Sequence, residues 1–173
     1  MAERNYSKYA ALGDYFRENL SYNPDTGSLV WSDKAVRNTG KKRPGGDVGC
    51  KTKDGYRQAC IKSLSIYLHV VAWYLHYGQW PSGVVDHING DKSDNRIANL
   101  RVVGHAENIQ NQRRPNKRNK LNALGCSAAD NGRFRAAIRI SGKSYCLGTF
   151  DTLDEAHSAY VAKKRELHPG CTL

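Results

Sequence analysis

The 173-residue sequence has no long apolar run, little acidic charge and no paired cysteines, and each shortage closes off a class of protein. No stretch is apolar for long enough to span a bilayer, and no basic segment has a clean apolar face, which argues against a membrane partner. The opening residues, MAERNYSKYAALGDYF, lack the apolar stretch and cleavage site of a secretory signal, so a reducing, cytoplasmic setting is expected. There the five cysteines (Cys50, Cys60, Cys126, Cys146 and Cys171) are free thiols. They are scattered and odd in number, with no pair at the two-residue gap of zinc ribbons and knuckles, so no structural zinc is expected. Acidic residues number 16 against 27 lysines and arginines, and the formal charge of +11 points to a polyanionic partner, nucleic acid first.

What is present divides the chain into four stretches. Over 1–66, Leu12, Tyr15, Phe16, Asn19 and Leu20 keep a helical spacing, the turn-forming Asn23-Pro24-Asp25-Thr26-Gly27 leads into a short strand at Leu29 and Trp31, and 55–61 reads as another strand. Between them, Lys34 to Gly49 is rich in Lys, Arg and Gly and reads as an exposed loop. Over 67–111, Tyr67 to Tyr77 is a buried helix stopped by Gly78, with His69 read as a hydrogen-bonded core residue and left out of any metal site. Val84 to Asn111 then parses as a ββα unit: a strand from Val84, Val85 and Ile88, a polar loop turning at Asn89-Gly90-Asp91, a strand over Leu100 to Val103, and a helix beginning near His105. Over 112–124, Arg113, Arg114, Lys117, Arg118 and Lys120 occur without one acidic residue, and Pro115 makes a poor helix, so this reads as a linker that tracks a phosphate backbone. Over 125–170, FRAAIRI and KSYCLGTF form a hairpin turning at Ser141-Gly142, followed by a helix whose start carries Thr152 and Glu155 at capping-box spacing.

Hydrolysing a phosphodiester needs a nucleophile made from water and a positive centre to neutralise charge on the phosphorus oxygens and the departing 3′ oxygen. A histidine beside a hard-ion site meets both needs, and the oxygens of Asp86 and Asn108 suit Mg²⁺ or Mn²⁺ better than zinc. Asp86 and His87 are adjacent and would point to opposite sides of an ideal strand, so a distortion or the strand end must bring them to one site. An EF-hand calcium loop does not fit: with Gly90 at its glycine position, Val85 falls where the first ligand belongs and no glutamate closes the loop. The plain alternative is that Asp86, Asn89, Asp91, Asp94, Asn95 and Asn99 are turn formers in a surface loop.

Asp86-His87, Asn99 in Ala98-Asn99-Leu100, Asn108 in Ala106-Glu107-Asn108, the phrase DHINGDKSDNRIANLR and the earlier SYNPDTGSLVW and Gly78-Gln79-Trp80-Pro81 together resemble the HNH homing and phage endonucleases. The resemblance, covering about Leu20 to Asn111, implies a ββα-metal (His-Me finger) nuclease core. In it His87 activates water, Asp86 and Asn108 bind one divalent ion, Mg²⁺ first, and Asn99 pins the polar loop through backbone hydrogen bonds. It also implies a phage or mobile-element gene working in a bacterial host cell. Gly125, FRAAIRI, LGTFDT and EAHSAY resemble the DNA-binding domain of the plant ethylene-response-factor (APETALA) family. That likeness implies a three-stranded antiparallel sheet packed on one helix and lying in the major groove. Phe134, Ala136, Ile138, Tyr145 and Leu147 would face the helix, while Arg133, Arg135 and Arg139 would face DNA with Ser127 and Ser144.

The expected protein is therefore α+β: a metal-dependent DNA endonuclease followed by a basic sheet module, working as a monomer on double-stranded DNA without a small-molecule cofactor and leaving 5′-phosphate and 3′-hydroxyl ends. A DNA-binding regulator that keeps the nuclease fold without its activity is the first alternative. An RNA-binding protein ranks behind it, because the aromatics fall on expected core positions and form no exposed stacking strip.

Overall fold

In a computed structural model of the chain, the structure describes residues 6–35, 45–104, 107–108, 115, 118–140 and 142–167. The fold is mixed α+β, with several small antiparallel sheets, and the chain divides into two compact units, Met1–His105 and Ala106–Leu173. None of the helices among the described residues is long and apolar enough to cross a membrane.

The first unit opens with a 3-10 turn (Ser7–Leu12) running into helix α1 (Gly13–Asn19). Strands β1 (Leu20–Tyr22) and β2 (Leu29–Trp31) form a hairpin around the expected Asn-Pro-Asp-Thr-Gly turn. That turn is closed by the Asn23 side chain, whose Oδ1 accepts from the backbone of Asp25 and Thr26. A three-stranded sheet follows in the order β3 (Cys50–Lys51), β4 (Arg57–Ile61), β5 (Leu64–Tyr67). Helix α2 (Leu68–Tyr77) starts directly from β5 and stops at Gly78, whose left-handed φ of 72° is the expected cap. Strands β6 (Val84–His87) and β7 (Leu100–Val103) make a second hairpin.

Helix α2 is the centre of this unit, touching α1, β1, β4, β5 and β6. Its first turns are buried nearly all round, through Leu68, Val70, Val71 and Ala72, as the unbroken apolar run requires. Each of the leucine and valine side chains contributes about 1.5–3 kcal/mol by leaving water. One core unites Phe16, Leu20, Leu29, Ile66, Val71, Val85 and Leu100, so the hairpin and sheet of residues 6–66 pack into the same interior as α2 and the β6–β7 hairpin. Trp80 closes it, stacked on Tyr74 with ring centroids 4.3 Å apart.

Three expectations are corrected. The Lys34–Gly49 stretch is not loop throughout: residues 46–48 run beside β2, with Val48 N bonded to Leu29 O, and Val48 is fully buried because it is the segment's apolar anchor. Its residues 36–44 lie outside the described residues. Tyr67 belongs to β5, pairing with Gln58, and not to the helix. Ile88 is not in the first strand of the ββα unit: β6 ends at His87, and the Gly90 N–H to His87 carbonyl bond turns the chain there, leaving Ile88 exposed.

The second unit is a three-stranded antiparallel sheet in the order β10 (Lys143–Phe150), β9 (Phe134–Ile140), β8 (Cys126–Ala128), with helix α3 (Leu153–Leu167) against all three strands. The helix begins with the expected capping box: Glu155 N bonds Thr152 Oγ1 at 3.3 Å and Thr152 N bonds Glu155 Oε2 at 3.2 Å. Gly125 is required by close packing, since a Cβ there would collide with the Tyr160 ring. Leu121 and Ala123, from the end of the segment read as a linker, pack into this core, and Asn119 ties that stretch down through the Ala123 carbonyl. Tyr145 departs from the expected helix-facing set. It pairs with buried Ile138 yet is itself 48% exposed, three residues before Gly148 resumes a register shifted after Cys146.

Candidate active site

The β6–β7 hairpin brings Asp86 opposite Arg101 and His87 opposite Leu100. His87 is buried at 4% exposure, and strand β6 ends at this residue, so the chain turns directly after the imidazole. The Asp86 side chain is 16% exposed, and its Oδ2 accepts from Nη2 and Nε of Arg101 at 3.2 and 3.3 Å.

Between the strands, residues 88–99 form a polar loop stitched by its own side chains. Asn99 spans it: its Oδ1 accepts from the backbone N–H of Asn89 at 2.9 Å and its Nδ2 donates to the carbonyl of Asp94 at 2.8 Å. Asp94 is clamped by Arg96 through two contacts, 2.8 and 2.6 Å, and by Asn89 Nδ2 at 2.8 Å. The Arg96 guanidinium in particular holds the Asp94 carboxyl down at about 2. Asp91 accepts from Ser93, which also lowers its pKa. Asn89, Asp91 and Asp94 thus do the turn-forming work that their residue types suggest.

His87 Nε2 lies 3.2 Å from Asn95 Oδ1, and Asn95 is 2% exposed. Burial lowers the pKa of His87 below its ordinary 6.5, against the opposing pull of Asn95 and of Asp86, so the ring is neutral at pH 7 and carries one lone pair. Its walls are aromatic: the rings of His69 and Tyr56 sit 5.0 and 6.0 Å from its centroid. Tyr67 stacks on His69, and Lys92 lies over Tyr56 at 4.6 Å.

Residues 66–110 match the model of the family described as HNH endonuclease. The HNH segment runs from the end of β5 through α2, both strands of the hairpin and the loop, so it takes in Asp86, His87, Asn99 and Asn108, and nuclease chemistry is what it suggests. No curated protein and no solved structure matches the chain.

HNH nucleases generally use a divalent metal. Among the described residues no three His, Cys, Asp or Glu side chains converge. The donors that Asp86 and Asn108 offer are a carboxylate and an amide oxygen. That donor set is oxygen-based and fits Mg²⁺ or Mn²⁺, which keep several waters when bound. Asn108 is helical and half-buried and falls in the second unit.

The basic residues expected to meet DNA are distributed as follows. Arg113, Arg114 and Lys117, like His105 and Ser141, lie outside the described residues, whereas Arg118 and Lys120 are exposed. Arg135 sits on the central strand β9 between Ser127 and Thr149, its cross-strand partners, and has no ion-pair or hydrogen-bond partner among the described residues. Arg139 pairs across the strands with Ser144, and its Nε donates to the Gly142 carbonyl. Arg133 is tied to Asp151 at 2.8 Å and to the Thr149 carbonyl.

Asn95, His69 and Tyr56 were not predicted as site residues. Asn95 is one of many polar residues in its loop, and composition does not tell which points inward. His69 approaches His87 from a helix and Tyr56 from the residue just before β4, both far off in sequence, so no spacing rule links them.

Proposed function

We propose that this protein is a divalent-metal-dependent DNA endonuclease of the homing or phage HNH type, cutting a phosphodiester to leave 5′-phosphate and 3′-hydroxyl ends. The observation that carries this reading is a buried His87 on the strand next to Asp86, within a segment matching the HNH endonuclease family.

In this reading His87 takes a proton from water as the water oxygen bonds phosphorus, and the P–O3′ bond breaks with the electron pair leaving on the 3′ oxygen, which is protonated from solvent. Asp86 and Asn108 would hold the divalent ion, which would supply positive charge for phosphate chemistry. Asn99 acts through the loop: by tying Asn89 to Asp94 it keeps the chain after His87 in one conformation. Arg101, bonded to the same Asp86, orients the carboxylate.

The domain division we favour is a nuclease core at 67–111 supported by residues 1–66, a basic stretch at 112–124, and an ethylene-response-factor-like DNA-binding module at 125–170. The sheet-and-helix form of the second unit and the exposed arginines of β9 support the last assignment. In this arrangement Arg113, Arg114, Lys117, Arg118 and Lys120 contact phosphates, and Arg133, Arg135 and Arg139 meet the groove. A cytoplasmic monomer, phage- or mobile-element-encoded, completes the reading.

The test is nicking of supercoiled plasmid with Mg²⁺, Mn²⁺ or EDTA, comparing wild type with His87→Ala. Metal-dependent cleavage lost in the variant supports the endonuclease. Salt-sensitive DNA binding with no cleavage under any metal identifies the regulator instead.

A further inference from the structure

His87 is held on three sides, and one of its contacts decides more than position. A neutral imidazole has one N–H and one lone pair, and the hydrogen bond made by one nitrogen determines which of the two is left as a base. Apart from Asn95, no described residue's side chain hydrogen-bonds His87, and the Asn95 atom facing Nε2 is the amide oxygen, which can only accept.

The Asn95 side chain is buried, and its backbone is held from the far side by the β1–β2 hairpin. The Tyr22 hydroxyl donates to the Asn95 carbonyl at 2.7 Å, and burial pushes the pKa of that hydroxyl up to about 12, so it stays a donor. Ile97 N bonds the Pro24 carbonyl at 3.0 Å, and Gly27 lies so close that a Cβ there would meet Asn95 C at 2.6 Å. The hairpin at residues 20–31 thus sets Asn95, and Asn95 faces the imidazole.

We infer that Asn95 is a positioning residue that fixes the tautomer of His87: its Oδ1 accepts a hydrogen bond from the protonated Nε2, leaving the lone pair on Nδ1 to receive the proton from the attacking water. The inference rests on the endonuclease reading for its catalytic consequence, but the tautomer itself is a property of the metal-free protein.

The experiment has two arms. In the first, long-range ¹H–¹⁵N correlation spectra are recorded on the ¹⁵N-labelled full chain in EDTA, at a pH well above 6.5, with His87 assigned by loss of its signals in His87→Gln. The expected pattern is a protonated Nε2 and an unprotonated Nδ1. A protonated Nδ1, or an even mixture, overturns the inference. In the second arm, plasmid nicking with Mg²⁺ is measured for Asn95→Leu and Asn95→Asp, with DNA affinity followed by gel shift.

The leucine variant, which cannot accept, is expected to lose roughly 10–100-fold in kcat with KM little changed. The aspartate variant keeps an oxygen at the same place and is expected to recover most of kcat and the Nε2–H pattern. A folded Asn95→Leu protein with wild-type kcat overturns the inference while leaving the nuclease reading intact. Should the leucine variant not fold, the wild-type spectrum and the aspartate variant decide. A wild type that cuts nothing sinks the nuclease reading alone, and the spectra still decide the tautomer.

Discussion

His69 stands edge-on to His87, their ring centroids 5.0 Å apart and their planes crossed at 80°. Because His69 is a buried residue in the first turn of helix α2, the wall behind the candidate base belongs to the helix at the centre of the first unit. Truncating it in His69→Ala leaves a cavity that tightly packed neighbours close only in part, and the expected loss of stability is about 2–4 kcal/mol. His69→Phe fills the same space and is expected to recover most of that loss. Urea unfolding of both variants is the check, and an alanine variant as stable as wild type would show that the ring is not packed in this way.

Asp94 governs how the polar loop responds to acid. Its carboxyl is held at about 2, chiefly by the Arg96 hydrogen bond, whereas in the unfolded chain it titrates at the ordinary 3.8. The unfolded chain therefore takes up the proton first as pH falls. The stabilisation from this group is fully present above 3.8 and lost as pH falls from there to about 2. A carbon-detected titration of the Asp94 carboxyl should find its midpoint near 2 in wild type and close to 3.8 in Arg96→Ala. An ordinary midpoint in wild type would mean that the Asp94–Arg96 pair does not form in solution.

These two residues also mark what could be read in advance. Features with local causes were legible: Gly78 at the end of α2, the Thr152–Glu155 capping box and the β9–β10 hairpin each depend on residues within a turn or two. The β4–β5 hairpin was not. Its turn residues Lys62 and Ser63 both adopt positive φ, 47° and 65°, a conformation that Asn-Gly would announce and Lys-Ser does not. Without that signal Tyr67 joined the apolar run of the helix. In the site, Asp86, His87 and Asn99 stood out by motif, but the partners around His87 come from three other places in the chain. Such contacts depend on tertiary packing, which periodicity does not encode.

Among the three arginines proposed to meet DNA, Arg135 is the one whose guanidinium has no ion-pair or hydrogen-bond partner among the described residues. Arg133 is shared with Asp151 and Arg139 with the Gly142 carbonyl, so each would give up an interaction to reach a phosphate or base. Arg135→Ala is therefore expected to weaken DNA binding more than Arg133→Ala. If the contact is to a phosphate, the slope of log affinity against log salt should flatten by about one. Gel shifts over a salt series read both effects, and equal affinity in Arg135→Ala and wild type would remove this face of the sheet from the DNA-binding surface.

Gly27 links the N-terminal hairpin to the loop that carries Asn95. Its φ of 73° is left-handed, and a Cβ there would meet Arg96 N at 2.5 Å and Asn95 C at 2.6 Å, both backbone atoms that cannot swing aside. Gly27→Ala adds a single methyl group to an exposed-looking turn, yet it is expected to cost about 1–3 kcal/mol through the strained backbone and the displaced loop. The displacement falls on the strand of contacts that ends at His87, so cleavage should drop more than global stability explains. Comparing Gly27→Ala with Asp25→Ala, at a neighbouring turn position whose side chain is exposed, separates the two effects. If both variants cut plasmid at equal rates, the hairpin supports the fold without bearing on the candidate base.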